Sequence, residues 1–180
     1  MNINIFVICV ICLLLTSCQS FLKVAEEPTY QEIFSFGNEA KKIYNLQLVG
    51  FGGGTNKGRE IFNLTFMGNQ TPDLDEARAI FYDLSTRFLE RINSNEKLRA
   101  LTLDNIFTIA NLNISIMFPK VQDFVTGVGN AFAFDRDPLQ FIYYFTYNPE
   151  SKKSKITYKE PYEQLKSIVE HQRGLSPPSH

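Results

Sequence analysis

Hydrophobic and polar residues alternate along several stretches of the chain, which is typical of strands that bury one face. In the clearest of them, Leu112, Ile114 and Ile116 are separated by polar side chains. Residues 46–51 and 60–67 lie on either side of the glycine-rich stretch GGGTNKG, an order that predicts a β-hairpin. Further strands are predicted at residues 112–118, 131–134, 139–147 and 155–159.

Helical periodicity is clearest after Asp73. Asp73 and Glu76 have the spacing of a capping box, in which each side chain accepts a hydrogen bond from the backbone of the other residue. Hydrophobic residues then recur every three or four positions and predict one buried face, formed by Leu74, Ala77, Phe81, Leu84, Phe88 and Ile92. The charged residues of this segment, Arg78 among them, are assigned to the opposite face. Shorter helices are predicted at residues 38–44 and 161–172, with a single turn at 96–101.

These elements do not alternate as regular strand-helix-strand units. The pattern therefore predicts an α+β fold, a mainly antiparallel sheet with two or three helices packed on one face. A length of 180 residues fits one globular domain. We expect this domain at residues 37–174, after a tether at 18–36 and before a disordered tail at 175–180.

The amino terminus contains the longest apolar run. Ile5 to Leu15 are eleven consecutive apolar residues, which form about 16 Å of helix against a hydrocarbon core of about 30 Å. This length is too short to span a bilayer and matches the hydrophobic region of an export signal, predicted at residues 1–17. The first four residues contain no Lys or Arg, which departs from the usual basic start of such signals.

The four residues Leu15-Thr16-Ser17-Cys18 resemble the lipobox of bacterial lipoproteins. The resemblance implies that Cys18 becomes the new amino terminus, carries diacylglycerol with its two acyl chains on its sulfur, and can receive a further acyl chain, such as palmitate, on its amine. Two acyl chains would hold the protein on the membrane. Gln19 follows instead of Asp, which in lipoproteins of bacteria with two membranes favours the outer membrane. The alternative is a bystander Cys18 with cleavage further on, for example after Ser20.

Two later stretches, ERINSNEKLR and FTIANLNISI, loosely resemble a pattern found in small, uncharacterised exported bacterial proteins. The resemblance rests on these two stretches, which make up 20 of the 180 residues. It implies no functional residues and agrees only with an exported location.

Charge and cysteine content exclude several classes of function. The 18 basic and 19 acidic side chains are interspersed, so we expect no nucleic-acid partner, because binding phosphates requires concentrated positive charge. Cys9 and Cys12 lie in the predicted signal peptide, and Cys18 would be acylated. The mature chain would then have no free thiol for a disulfide, a nucleophile or a zinc site.

Motifs for catalysis and cofactor binding are weak. A P-loop ends in Gly-Lys-Ser/Thr before a helix, whereas here Lys57 precedes Gly58 and a strand follows. His171 and His180 are too far apart to suggest zinc binding. The acidic groups at 73–76 and 135–137 are explained by a helix start and a turn, although a pair of catalytic carboxylates stays open. The sequence therefore assigns no catalytic residue, no metal site and no cofactor.

The aromatic run FIYYFTY is the first place to look for a contact surface, because tyrosine combines an apolar ring with a polar tip. The residues proposed for this surface are Phe141, Tyr143, Tyr144 and Tyr147. The nearby lysines of SKKSKITYK could contact anionic lipid headgroups, but protection of an exposed edge strand explains them as well.

Together these features favour an exported, membrane-anchored bacterial lipoprotein that acts as a non-catalytic binding or structural module on the extracytoplasmic face. The membrane, reached through acylated Cys18, is the one partner that the sequence indicates. Two alternatives stay open: a carboxylate-dependent hydrolase of envelope polysaccharide, and a surface-exposed protein that interacts with a host.

Overall fold

A computed structural model describes residues 27–56, 59–102, 105–119, 126–130, 140–148 and 150–175. Its helices are α1 (Pro28–Tyr44), α2 (Leu74–Ser94), α3 (Glu96–Arg99) and α4 (Tyr162–Gln172), with a 3-10 turn at Ile109–Asn111. Its strands are β1 (Leu46–Asn56), β2 (Arg59–Gly68), β3 (Leu112–Met117), β4 (Gly127–Gly129), β5 (Phe141–Asn148) and β6 (Lys153–Pro161).

The six strands form one open sheet in the order β1-β2-β3-β4-β5-β6. All neighbouring strands are antiparallel except β2 and β3, which run parallel because the chain crosses back through α2 between them. The predicted α+β class with a mainly antiparallel sheet is thus confirmed.

One face of the sheet carries the core. Register places Phe66, Ile116, Val128 and Tyr144 in a row across four strands, and all four are fully buried. The helices cover this row, for example where Phe36 of α1 packs edge-on against Phe66 with ring centroids 6.1 Å apart. Strand alternation therefore sorts apolar side chains toward the helices, as the sequence pattern predicts.

Helix α1 begins earlier than predicted, so the boundary between tether and domain at residues 36 and 37 is wrong. Pro28 lies in the first turn, where its missing N–H costs nothing, and Ile33 and Phe36 are each 1% exposed. Gly37 lies inside this helix and lets it pack closely against β1. A Cβ at this position would lie 2.9 Å from Leu48 Cδ2. The domain thus includes residues from Pro28 onward.

Helix α2 confirms the predicted capping box. The Glu76 N–H donates to Asp73 Oδ1 at 2.8 Å, and the Asp73 N–H donates to Glu76 Oε2 at 3.1 Å. The predicted apolar face is buried apart from Leu74, which is partly exposed. Arg78 is the exception on the other side, since it is also buried.

The hairpin is confirmed, but its strands are longer than predicted. Gly52, Gly53 and Gly54 belong to β1 and pair with β2, so most of the glycine-rich stretch is strand. The register shifts between Leu48 and Gly50, which marks a bulge at Val49.

The remaining predictions differ mostly at their ends. The single turn at 96–101 is the short helix α3, and Asn95 accepts the N–H groups of Lys97 and Leu98 at its start. β4 was not predicted. The predicted strand at 131–134, the turn after it and the residues 176–180 lie outside the described residues. Among those that are described, none of the helices has the length and hydrophobicity needed to cross a bilayer.

Candidate functional site

A buried ion pair joins α2 to β6. Arg78 Nε donates to Glu160 Oε1 at 2.8 Å, and Arg78 Nη2 donates to Glu160 Oε2 at 3.0 Å. Arg78 Nη1 also donates to Asp75 Oδ1 at 2.6 Å. Glu160 is 1% exposed, so its charge is compensated almost entirely by protein groups.

Two tyrosines complete this cluster. The Tyr144 hydroxyl donates to Glu160 Oε1 at 2.6 Å, and the Tyr158 hydroxyl donates to Glu160 Oε2 at 3.4 Å. Burial, followed by the hydrogen bond to Glu160, raises the pKa of Tyr144 well above its usual range. The hydrogen bond to Glu160 raises the pKa of Arg78. Both oxygens of the Glu160 carboxylate therefore accept hydrogen bonds from side chains of the same domain. This arrangement is typical of a carboxylate that stabilises the fold.

The proposed aromatic surface on β5 is split between two faces. Tyr144 is completely buried on the helix side, so its inclusion in that surface is wrong, because successive strand residues point to opposite faces. Phe141 and Tyr143 lie on the other face and are half-buried, and Tyr147 is 42% exposed near the end of the strand. The Lys159 ammonium lies 5.0 Å from the centroid of the Phe141 ring.

The candidate carboxylates have structural contacts. Asp73 and Glu76 cap α2, and Asp75 binds Arg78. A hollow of about 330 Å³ is lined by Tyr44, Glu76 and Asp83, among other residues. Both oxygens of Asp83 accept from Arg173, at 2.5 and 3.0 Å. Asp135 and Asp137 lie outside the described residues.

The histidine and the lysines considered in the sequence analysis are exposed where the structure describes them. His171 lies in the last turn of α4, where a cation complements the helix dipole. Lys153, Lys155 and Lys159 lie along β6, which is an edge of the sheet in the described part of the chain. Within the described ranges, no group of three or more His, Cys, Asp or Glu side chains could hold a metal ion.

The opposite edge of the sheet borders a groove that sequence reasoning missed. The groove lies between α1 and β1 and has a volume of about 290 Å³. Its walls include Phe34, Asn38, Lys41, Leu48, Val49 and Phe51. Phe34, Asn38 and Lys41 have the spacing of one helix face, which could have indicated this wall of the groove. The predicted boundary between residues 36 and 37 separated Phe34 from the other two.

No protein-family model matches the chain, and no curated protein or solved structure shows significant similarity to it. The predicted signal peptide and Cys18 belong to residues 1–26, outside the described residues. The lipobox therefore stays a prediction from sequence, whereas the β1 groove and the buried Arg78 cluster are features of the fold.

Proposed function

We propose that this protein is a lipid-anchored bacterial lipoprotein whose single α+β domain acts as a binding or structural module on the extracytoplasmic side. The observation that carries this proposal is the sequence Leu15-Thr16-Ser17-Cys18 directly after an apolar run of export-signal length. In a bacterium with two membranes, Gln19 supports sorting to the outer membrane.

The start of the first helix implies that only a short segment would join the domain to the lipid. Helix α1 begins at Pro28, and ten residues lie from Cys18 to Glu27. Fully extended, these residues reach at most about 36 Å. An acylated Cys18 would therefore keep the domain close to the bilayer.

The contacts of the acidic residues support a non-catalytic role. In the hollow near Tyr44, Asp83 is bound by Arg173 and Glu76 by the backbone of Asp73. Glu160 is likewise bound by Arg78 and Tyr144. Carboxylates held in this way stabilise helix ends and the packing between elements.

Metabolic labelling with a clickable palmitate analogue in a bacterial host that processes lipoproteins tests the anchor. We expect the wild-type chain to incorporate label and to fractionate with membranes, and Cys18→Ala to lose both properties. Cys12→Ala is the matched control, because this thiol lies in the predicted signal peptide and should not affect labelling. Labelling that persists in Cys18→Ala, or an intact mass that retains Met1, would refute the proposal.

A further inference from the structure

The two edges of the sheet differ in charge. β6 carries Lys153, Lys155 and Lys159, and lysines on an edge strand discourage pairing with other chains. β1 contains no charged residue over its whole length, Leu46–Asn56. Within the described ranges β1 has no neighbour on its outer side. The sheet is thus protected at one edge and open to pairing at the other.

Backbone access is high along β1. Gly52 and Gly54 have no heavy atom within 4 Å of the position that a Cβ would occupy. This space lies above and below the sheet, so it leaves room for the side chains of an incoming strand, whose backbone would pair in the plane of the sheet, where β1 has no neighbour on its outer side in the described part of the chain. The bulge at Val49 turns the strand next to the groove, and bulges often redirect side chains near binding sites.

Exposed apolar side chains gather beside the same edge. Phe34, Val49 and Phe51 are 39%, 46% and 42% exposed, and all three line the groove. The rings of Phe34 and Phe51 pack edge to face with centroids 4.8 Å apart. They form a preorganised apolar wall that an aliphatic side chain could cover.

The groove also has a positive end. Lys41 lines it, and in the described part of the chain no acidic residue belongs to its lining or forms an ion pair with Lys41. Asn38 adds an amide that can donate or accept a hydrogen bond. The complementary occupant carries a carboxylate next to apolar side chains.

We propose that the outer edge of β1 binds an extended acidic segment of a partner protein as an additional strand. Backbone hydrogen bonds to β1 would provide affinity. Alternate side chains of the segment would enter the groove, with an aliphatic one against Phe34 and Phe51 and a carboxylate at Lys41. This inference deepens the proposed binding role and rests on it, but it does not depend on the lipid.

A second copy of the chain fits this edge less well. Pairing of β1 with β1 of another copy would bring an uncharged strand to the groove and leave Lys41 without a carboxylate. Charge complementarity therefore favours a different, acidic partner over self-association.

A display selection on the full-length protein in detergent micelles tests the binding mode. The probes are peptides of about ten residues, the length of a long strand, with Val or Thr at alternate positions. One pool carries a single Asp or Glu at a varied position, and two matched pools carry Lys or Gln there. We expect enrichment of the acidic pool, and protection of the β1 amides from hydrogen exchange by the enriched peptide.

Matched variants locate the contact. Lys41→Glu should weaken binding of the enriched peptide by about fivefold, the usual upper range for an exposed ion pair, and should shift enrichment to the Lys pool. Lys42→Glu is the control, because Lys42 is in the same helical turn but does not line the groove. Val49→Lys should block binding at the edge, whereas Ile43→Lys, which replaces another exposed apolar side chain outside the groove, should not.

Equal enrichment of the three pools, protection away from β1, or equal effects of Lys41→Glu and Lys42→Glu would overturn the inference. So would a dimer held by β1 that excludes the peptide. Because the selection does not depend on acylation, a failure here is distinct from a failure of palmitate labelling, which would overturn only the anchor.

Discussion

Arg78 and Glu160 lie 82 positions apart in the sequence and form a buried, bidentate ion pair. The pair ties the first turns of α2 to the end of β6, next to the start of α4. Tyr144 donates to the same carboxylate from β5. Two consecutive strands and a helix that is distant from them in the chain therefore share one polar contact inside the core.

Removing one partner of this pair should destabilise the fold strongly. Glu160→Ala leaves the Arg78 guanidinium buried without its main partner, and we expect a loss of about 3–5 kcal/mol in the free energy of unfolding. Asp75→Ala removes the exposed partner of the same arginine and should cost less than about 1 kcal/mol. Urea denaturation of each variant and of the wild type measures these two losses in the free energy of unfolding. Similar losses in the two variants would show that burial does not determine the strength of the contact.

The sequence predicted the elements well where hydrophobic periodicity was regular. α2, β2 and β3 follow from alternation or helical spacing, because each buries one face, whereas β5 was predicted from its run of aromatic residues. Arg78 was assigned to the exposed side since it stands among other charged residues. Its partner lies in a lysine-rich strand, and local periodicity carries no information on such distant pairs.

Two other features depended on tertiary context. β4 is a three-residue strand, Gly127–Gly129, and its glycines give no strand signal on their own. The groove at β1 needed the full extent of α1, which Pro28 and Gly37 concealed in the sequence pattern. Both residues usually mark breaks, but here one begins the helix and the other allows it to pack closely.

The corrected domain boundary can be tested with two neighbouring residues of α1. Ile33→Ala should lower the free energy of unfolding by about 2–5 kcal/mol, because it leaves a cavity in the core. Phe34→Ala removes a larger side chain that is 39% exposed, and it should cost clearly less. Thermal and urea denaturation provide the comparison. A neutral Ile33→Ala would mean that this segment is a tether after all.

Stability should fall at alkaline pH. Burial, followed by a hydrogen bond to Glu170, raises the pKa of Tyr82 to about 12 from its ordinary value of 10. Between these two pH values the folded state retains a proton that the unfolded chain releases. The contribution of Tyr82 to the free energy of unfolding is therefore complete below about pH 10 and is lost as the pH rises through 12.

The Tyr82→Phe variant isolates that contribution. Urea denaturation at pH 7 should show only the cost of losing the hydrogen bond to Glu170, which is 2.8 Å long. Between about pH 10 and 12 the variant should lose less stability than the wild type, with the remaining fall due in part to Tyr144, whose pKa is also raised. Parallel curves for both proteins would contradict the assignment to Tyr82.

A side chain at Gly129 should destabilise the fold, because β4 lies tightly against β3. A Cβ at Gly129 would lie 2.5 Å from the carbonyl oxygen of Ile114 and 3.0 Å from Cα of Ser115, and neither backbone atom can move without disturbing the sheet. We expect Gly129→Ala to cost about 1–3 kcal/mol and to increase hydrogen exchange in β3. Gly52→Ala is the matched strand glycine with open space, and its change should stay within about 1 kcal/mol in either direction. If the two variants unfold at the same urea concentration, close packing of β4 is not what requires glycine at this position.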